Sequence, residues 1–141
     1  MTRVEFFFNV ENKLEKIAEL CEKAIEKGHQ LTIFSQDVAV NDALEQQLWQ
    51  HSATSFLVNS KANEAMSHFS AIVIAENSEY LLQDDILINL QTEYPPFFSR
   101  FRHLVELVSN DAADKVAARS RFRFYRDRGY DIKSTDTAEN K

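Results

Sequence analysis

The chain has 141 residues, the size of one domain with a single hydrophobic core. Its 44% hydrophobic and 27% charged residues are typical of a globular protein and exclude a disordered chain. No apolar run approaches the roughly 18 residues of a membrane-spanning helix, and the opening TRVEFFFNV lacks the features of a signal peptide. We therefore expect a soluble, cytoplasmic protein that makes no membrane contact.

The first half of the chain alternates strand and helix patterns. A short aromatic run predicts a buried strand at 3–8, and the apolar stripe that follows predicts a helix at 11–27 with Gly28 at its end. A second strand at 30–35 and a second helix at 37–50 come next. This order favours a parallel sheet covered by helices.

The middle of the chain carries weaker patterns. Three strands are predicted, at 70–75, 85–90 and 103–108. The segment 54–58 is compatible with either a short strand or a loop. Two consecutive prolines in EYPPFFSRF break the chain, and a helical turn is expected to follow because proline suits the start of a helix.

The end of the chain is expected to form one more helix and a tail. The helix is predicted at 111–128, where Gly129 stops it. The last residues, STDTAENK, are polar and carry no strand or helix pattern. We therefore predict one domain over residues 1–133 and a frayed tail over 134–141.

Catalytic and cofactor-binding patterns are missing from the sequence. The turn after the first strand reads NVEN, and the two glycines of the chain cannot supply a phosphate-binding loop. The four histidines are far apart and form no metal-binding pattern. Cys21 lies on the apolar stripe of the first helix, so we expect a buried thiol and not a nucleophile. We therefore expect no enzyme activity, no cofactor and no metal.

The last predicted helix carries most of the positive charge. From 115 to 133 there are seven basic and two acidic residues, a net charge of +5 in a chain whose total is −6. At about 100° per residue, one helix face collects Lys115, Arg119, Phe122, Arg123 and Arg126. Another arc, which includes Phe124 and Tyr125, is suited to packing on the sheet. Arg121 and Arg128 fall within that arc, where we expect them to snorkel or to pair with carboxylates.

The residues alone leave three interpretations of the basic face open. Runs of this kind are commonly solvated helix surfaces. Arginines beside aromatic rings also bind single-stranded nucleic acid by contacting phosphates and stacking bases. Alternatively, they bind an acidic peptide, with guanidinium groups on its carboxylates and a pocket for an apolar side chain. The remaining residues carry a charge of −11, which repels a long polyanion and favours the short acidic peptide.

The order of several segments resembles the chi subunit of the bacterial DNA polymerase III holoenzyme. The resemblance rests on VEFFFN, DALEQQLW, SFLV, DILINL, PPFFSRF, LVELV and ARSRFRFYRDRGYDI, and it covers nearly the whole chain to Lys133. It implies a three-layer α/β/α Rossmann-like domain with a mostly parallel sheet and no phosphate-binding loop. It also implies a non-catalytic clamp-loader subunit that binds the psi subunit and the acidic C-terminal tail of single-stranded DNA-binding protein (SSB).

The resemblance also assigns roles to particular residues. The SSB tail is a run of aspartates that ends in proline, phenylalanine and a free carboxylate. The residues expected to bind it are Lys115, Arg119, Phe122 and Arg123. Many relatives have tyrosine where this chain has Phe122, so a hydroxyl is missing but the ring is kept.

Psi is expected to bind at Phe56 and Trp49, although either residue could instead be a core aromatic. The sequence therefore predicts an adaptor that links the clamp loader to SSB in lagging-strand DNA replication. Direct binding of single-stranded nucleic acid by the basic helix is the alternative.

Overall fold

The computed structural model describes residues 2–50, 59–61, 72–75 and 84–137. Within these residues, one sheet contains the strands β1 (Arg3–Val10), β2 (Leu31–Phe34), β3 (Asn59–Lys61), β4 (Ile72–Ala75), β5 (Ile86–Asn89), β6 (His103–Ser109) and β7 (Ile132–Asp136). The helices are α1 (Lys13–Glu26), α2 (Val38–Gln50) and α3 (Ala112–Asp127), and a short 3-10 helix spans Phe98–Arg100. The strand order is β3-β4-β2-β5-β6-β1-β7, and all neighbouring strands are parallel.

Helices cover both faces of this sheet. On one face α1 and α2 contact each other, and α1 buries Ile17 and Cys21 against the strands. On the other face α3 and the 3-10 helix bury Tyr125 and Phe98 in a second core cluster. The predicted fold class, a three-layer α/β/α domain with a parallel sheet, is confirmed.

The helix ends follow the local chemistry that the sequence indicates. Asn12 begins α1, and its Oδ1 accepts a hydrogen bond from Glu15 N at 3.2 Å. After α1 and α3, Gly28 and Gly129 have φ angles of +80° and +84°. Glycine adopts this left-handed conformation without the steric cost of a Cβ atom, so both predicted helix stops are confirmed.

Most strand predictions are also confirmed. The segment HLVELV, which has residues suited to either a strand or an extension of a helix, forms strand β6 inside the sheet, between β5 and β1. The short strand β3 was not predicted, because its sequence, NSK, has no apolar alternation. The undecided segment 54–58 lies outside the described residues.

The boundary between domain and tail is different from the prediction. Residues 134–136 are not a frayed tail but the second half of β7, which pairs with β1 from Val4–Ile132 to Phe8–Asp136. The side chain of Asn9 adds a hydrogen bond from Nδ2 to Asp136 Oδ1 at 2.9 Å. The sequence of β7 is polar because this strand lies at the sheet edge, where backbone pairing with one neighbour holds it.

None of the helices in the described ranges is both long and apolar enough to cross a membrane.

Candidate docking site on helix α3

Helix α3 begins at a polar cap and packs on the sheet through aromatic rings. Asp111 precedes the helix, and its Oδ2 accepts a hydrogen bond from Asp114 N at 3.2 Å. Tyr125 is fully buried, with its ring centroid 6.1 Å from that of Phe6 in β1. Phe6 also lies 5.4 Å from Phe122, centroid to centroid. One residue of β1 therefore supports both the buried ring and the half-buried ring beside the basic face.

A shallow and largely apolar pocket of about 190 Å³ lies between α3 and the edge of the sheet formed by β1 and β7. The residues that line it are Phe6, Phe8, Val108, Lys115, Ala118, Arg119, Phe122 and Ser134. Three of the four residues expected to bind the SSB tail, Lys115, Arg119 and Phe122, therefore surround one cavity. Arg123 is exposed on the following turn of α3 and does not line the pocket.

Sequence reasoning missed the opposite wall of this pocket. Phe6 and Phe8 point to the α3 side of the sheet because alternate residues of a strand face the same way. Their alternation in VEFFFN is a signal for a shared face, but it does not tell which helix covers that face. Ser134 was assigned to the tail, so its place beside Phe6 in the β1–β7 register was not predicted.

The cations of the site are available to a ligand. Among the described residues, no carboxylate lies within 4.0 Å of the charged groups of Lys115, Arg119 or Arg123. Arg126, which shares their helix face, lies 3.3 Å from Asp127 through its Nη2. Three positive charges therefore lie around or next to an apolar pocket without a neutralising partner in the described part of the chain.

Below this face, α3 is fixed to the sheet by a buried polar cluster. Glu106 in β6 has no solvent exposure, and its Oε2 accepts a hydrogen bond from the Tyr125 hydroxyl at 2.6 Å. Arg121 Nε lies 3.1 Å from Glu106 Oε1, and Arg121 Nη1 donates to the carbonyl oxygen of Thr92 at 2.8 Å. Asn89 Nδ2 lies 3.2 Å from both Glu106 oxygens.

This buried cluster confirms the expectation that Arg121 pairs with a carboxylate. Burial raises the pKa of Glu106, whereas the charge of Arg121 and the hydrogen bonds from Tyr125 and Asn89 act to lower it. Arg128 behaves differently: it is exposed, with its guanidinium carbon 4.4 Å from the centroid of the Phe124 ring.

The position at which parallel α/β sheets commonly bind phosphate is occupied by an ion pair. Lys13 in the first turn of α1 lies 2.9 Å from Asp114 Oδ2, and the same oxygen accepts a hydrogen bond from Ser109 N at 2.7 Å. Burial opposes ionisation of Asp114, but the hydrogen bonds from Ser109 and Lys13 outweigh it and the pKa of this carboxyl is lowered. The negative charge of Asp114 at this point disfavours a bound phosphate.

The remaining candidate residues are the cysteine, the possible metal ligands and the two aromatic residues expected to bind psi. Cys21 is buried, and burial raises the pKa of its thiol to about 12, so the predicted buried core cysteine is confirmed. Among the described residues, no group of three or more His, Cys, Asp or Glu side chains is arranged to hold a metal ion. Trp49 falls in α2, but its side chain and the whole of Phe56 lie outside the described residues.

Fold and site together define a Rossmann-like α/β domain whose last helix presents cations beside an apolar pocket. At the start of α1, where such domains commonly bind phosphate, this chain has the Lys13–Asp114 ion pair. The chain belongs to the family described as the DNA polymerase III chi subunit, HolC, whose profile matches residues 1–133. The resemblance found in the sequence is therefore confirmed.

Three bacterial relatives carry the name DNA polymerase III subunit chi. The protein of Pseudomonas aeruginosa is 34% identical over 136 residues, which cover 94% of each chain. That of Haemophilus influenzae is 29% identical over 91% of this chain and 92% of the relative, and that of Escherichia coli is 29% identical over 80% of each. Family membership supports an accessory role in DNA replication.

Proposed function

We propose that this protein is a non-catalytic adaptor of the DNA polymerase III clamp-loader complex, which binds psi and the acidic C-terminal tail of SSB during lagging-strand replication. Membership of the chi family supports the part of this proposal that makes the protein a subunit of DNA polymerase III. The observation that carries the SSB part is the α3 pocket, because Lys115, Arg119 and Phe122 line one small apolar cavity next to the exposed Arg123.

The chemistry of the tail fits this pocket in two ways. Its terminal phenylalanine supplies one aromatic ring, and the pocket is walled by the rings of Phe6, Phe8 and Phe122. Its aspartates and free carboxylate supply anions for Arg119 and Arg123, which have no carboxylate partner among the residues that the structure describes. A short acidic peptide therefore meets both the apolar and the charged parts of the site.

The proposal that Phe56 and Trp49 bind psi is based on the family resemblance. If Phe56 is a central anchor, Phe56→Ala should weaken a one-to-one complex with psi by about 2 kcal/mol or more. Isothermal titration of psi into the wild type and the variant measures this loss. An unchanged affinity would place the psi interface elsewhere.

The SSB part is tested by titrating a synthetic SSB tail peptide into the full chain. Arg119→Ala should weaken binding by about 1.5 to 3 kcal/mol, since it removes charge-assisted hydrogen bonds to the peptide. The matched control is Arg100→Ala, which deletes an exposed arginine of the 3-10 helix that does not line the pocket. We expect this control to bind the peptide as the wild type does.

Equal losses in Arg119→Ala and Arg100→Ala would mean that the peptide responds only to overall charge. The competing function, direct binding of single-stranded nucleic acid, is supported by the row of exposed arginines on α3. It would replace the adaptor proposal if an oligonucleotide bound as tightly as the tail and Arg119→Ala weakened both equally.

A further inference from the structure

We propose a second binding site, on the face of the sheet opposite α3, for a peptide segment that is acidic at one end and carries an apolar side chain. The site is a cavity of about 430 Å³ between α1 and strands β1, β5 and β6, here called the α1 groove. Its floor includes Phe7, Leu20, Ile86, Ile88 and Val105. This site has no lining residue in common with the proposed SSB-binding pocket, although strands β1, β6 and β7 border both cavities.

Positive charge dominates the rim of the α1 groove. The charged groups other than histidine that line it are Arg3, Lys23, Lys27, Lys133 and Glu5. Four cations and one carboxylate thus line the groove, and one of these cations, Lys23, also lies 3.6 Å from Glu19 Oε1 through its Nζ. This excess has the same sign as that of the α3 face and lies on the opposite side of the sheet.

These cations are only loosely neutralised. Lys133 Nζ lies 3.8 Å from Glu5 Oε2, but its side chain remains 77% exposed, and exposed pairs at this distance contribute little. Among the described residues, Arg3 and Lys27 have no carboxylate within 4.0 Å. A carboxylate from a partner could therefore pair with Arg3 and Lys27 without displacing an ion pair among the described residues.

The shape of the groove favours a peptide over a compact small molecule. A second cavity, of about 760 Å³, shares Phe7, Leu20, Lys23 and Lys27 with the first and continues along α1 to its start. The 14 residues of α1 extend for about 21 Å at about 1.5 Å per residue. An extended segment of about six residues, at about 3.3 Å each, spans this length.

The charge changes sign along the groove. The part near the start of α1 is lined by Glu11, Glu15 and Glu19. Of these, Glu19 lies 3.8 Å from Lys16 and 3.6 Å from Lys23, and Lys16 also lies 4.9 Å from the centroid of the Phe7 ring. A long nucleic acid would meet these carboxylates with its phosphates, so it does not suit the site. A second copy of this chain does not suit it either, because two concave surfaces cannot fill each other. The complementary occupant is a convex segment with acidic residues, an apolar side chain and then basic residues.

The test uses the full chain and a fluorescent peptide of the sequence Asp-Asp-Asp-Leu-Phe-Lys-Lys, together with the reversed sequence to cover both chain directions. At least one of the two should bind in a polarisation titration. Lys27→Glu should weaken that binding about tenfold or more, because it places a like charge against the acidic end. Arg3→Glu should do the same from the other side of the groove, and melting curves check that both variants fold.

Two controls separate this site from alternatives. Arg100→Glu makes the same change of charge outside both cavities and should bind as the wild type does; all proteins are also titrated with Arg119→Ala added, which removes the contribution of the α3 pocket. The proposal is overturned if neither peptide binds, if Arg100→Glu weakens binding as much as Lys27→Glu, or if Arg119→Ala abolishes it. Replacement of the peptide's Leu-Phe by Ser-Ser should also abolish binding. If the Ser-Ser peptide still bound, the apolar floor of the groove would have no role in recognition.

Discussion

At the scale of single residues, the cluster around Glu106 explains how an acidic side chain is tolerated in the central strand β6. A buried carboxylate is costly unless hydrogen bonds and an opposite charge compensate it. Glu106 contacts Asn89 in β5, Arg121 and Tyr125 in α3, and through Arg121 it is connected to the carbonyl of Thr92. The cluster therefore joins α3 to two neighbouring strands and orients the helix that carries the candidate docking site.

We predict that Tyr125→Phe destabilises the protein by about 1.5 to 3 kcal/mol, the range for a hydrogen bond to a charged group. The ring and its packing on Phe6 are kept, so the loss isolates the 2.6 Å bond to Glu106. Chemical denaturation of both proteins measures it. The matched control is Tyr130→Phe, because the Tyr130 hydroxyl has no hydrogen-bond partner among the described residues.

Tyr130→Phe should change the free energy of unfolding by less than about 0.5 kcal/mol. Equal effects of the two substitutions would show that the bond to Glu106 contributes no more to stability than an unpaired hydroxyl does.

The buried cluster also shows what the sequence could indicate about individual residues. Helix periodicity places Arg121 in the packed arc, where it is expected either to snorkel or to pair with a carboxylate, and the structure shows the carboxylate pair. Its identity was not predictable, because Glu106 is 15 positions away in a strand whose facing direction depends on the packing of the whole sheet. Local periodicity gives the face of a helix, whereas the partner on that face is set by tertiary structure.

At the scale of elements, the connection between α1, β6 and α3 depends on Asp114. This side chain follows the N-terminal cap of α3, accepts the backbone N–H at the end of β6 and pairs with Lys13 at the start of α1. It therefore joins elements from both faces of the sheet. The negative charge in the first turn also suits the dipole of α3.

Asp114→Asn should lower the free energy of unfolding at neutral pH by about 1 kcal/mol, since it removes charge-assisted interactions. Because the folded pKa of Asp114 is lowered, its stabilising effect is present above the pKa of the unfolded chain and is lost as pH falls through the folded pKa. Asparagine resembles the protonated acid, so the two proteins should become equally stable at low pH. Denaturation across the acid range measures this convergence.

The control for this change is Asp111→Asn, which keeps an acceptor at the cap of α3 and should be nearly neutral. A difference between wild type and Asp114→Asn that stayed constant as pH fell would contradict a role for the ionised carboxylate.

The part of the candidate site that lies on a single helix could be predicted from the sequence, and the part that comes from separate strands could not. Lys115, Arg119 and Phe122 were grouped correctly because they lie on one helix, where about 3.6 residues per turn fixes their relation. The pocket walls formed by Phe8 and Ser134 could not be predicted from the sequence. These two residues are 126 positions apart and come together only through the pairing of β1 with β7. The polar sequence of β7 has no apolar alternation, so the sequence predicts a tail where the structure has an edge strand.

At the scale of the whole molecule, the charge is distributed unevenly. Residues 115–133 carry +5 and the remaining residues carry −11, so the basic face of α3 is a local feature of an acidic protein. A short anion that contacts only this face gains attraction, whereas a long polyanion also meets the negative field of the other surfaces. The same asymmetry makes the response to salt a test of which ligand the protein binds.

We predict that the SSB tail peptide binds less tightly as salt rises, because interactions between exposed charges are screened within about 10 Å at about 0.1 M ionic strength. Deletion of the terminal phenylalanine should still weaken binding at high salt, because burial of its ring between Phe8 and Phe122 is not screened. A titration series over salt with both peptides separates the two contributions. A single-stranded oligonucleotide should bind more weakly than the tail at every salt concentration. If its affinity instead exceeded that of the tail at low salt and fell more steeply, phosphate contacts would be the main interaction of α3, and the acidic-peptide assignment of this helix would be wrong.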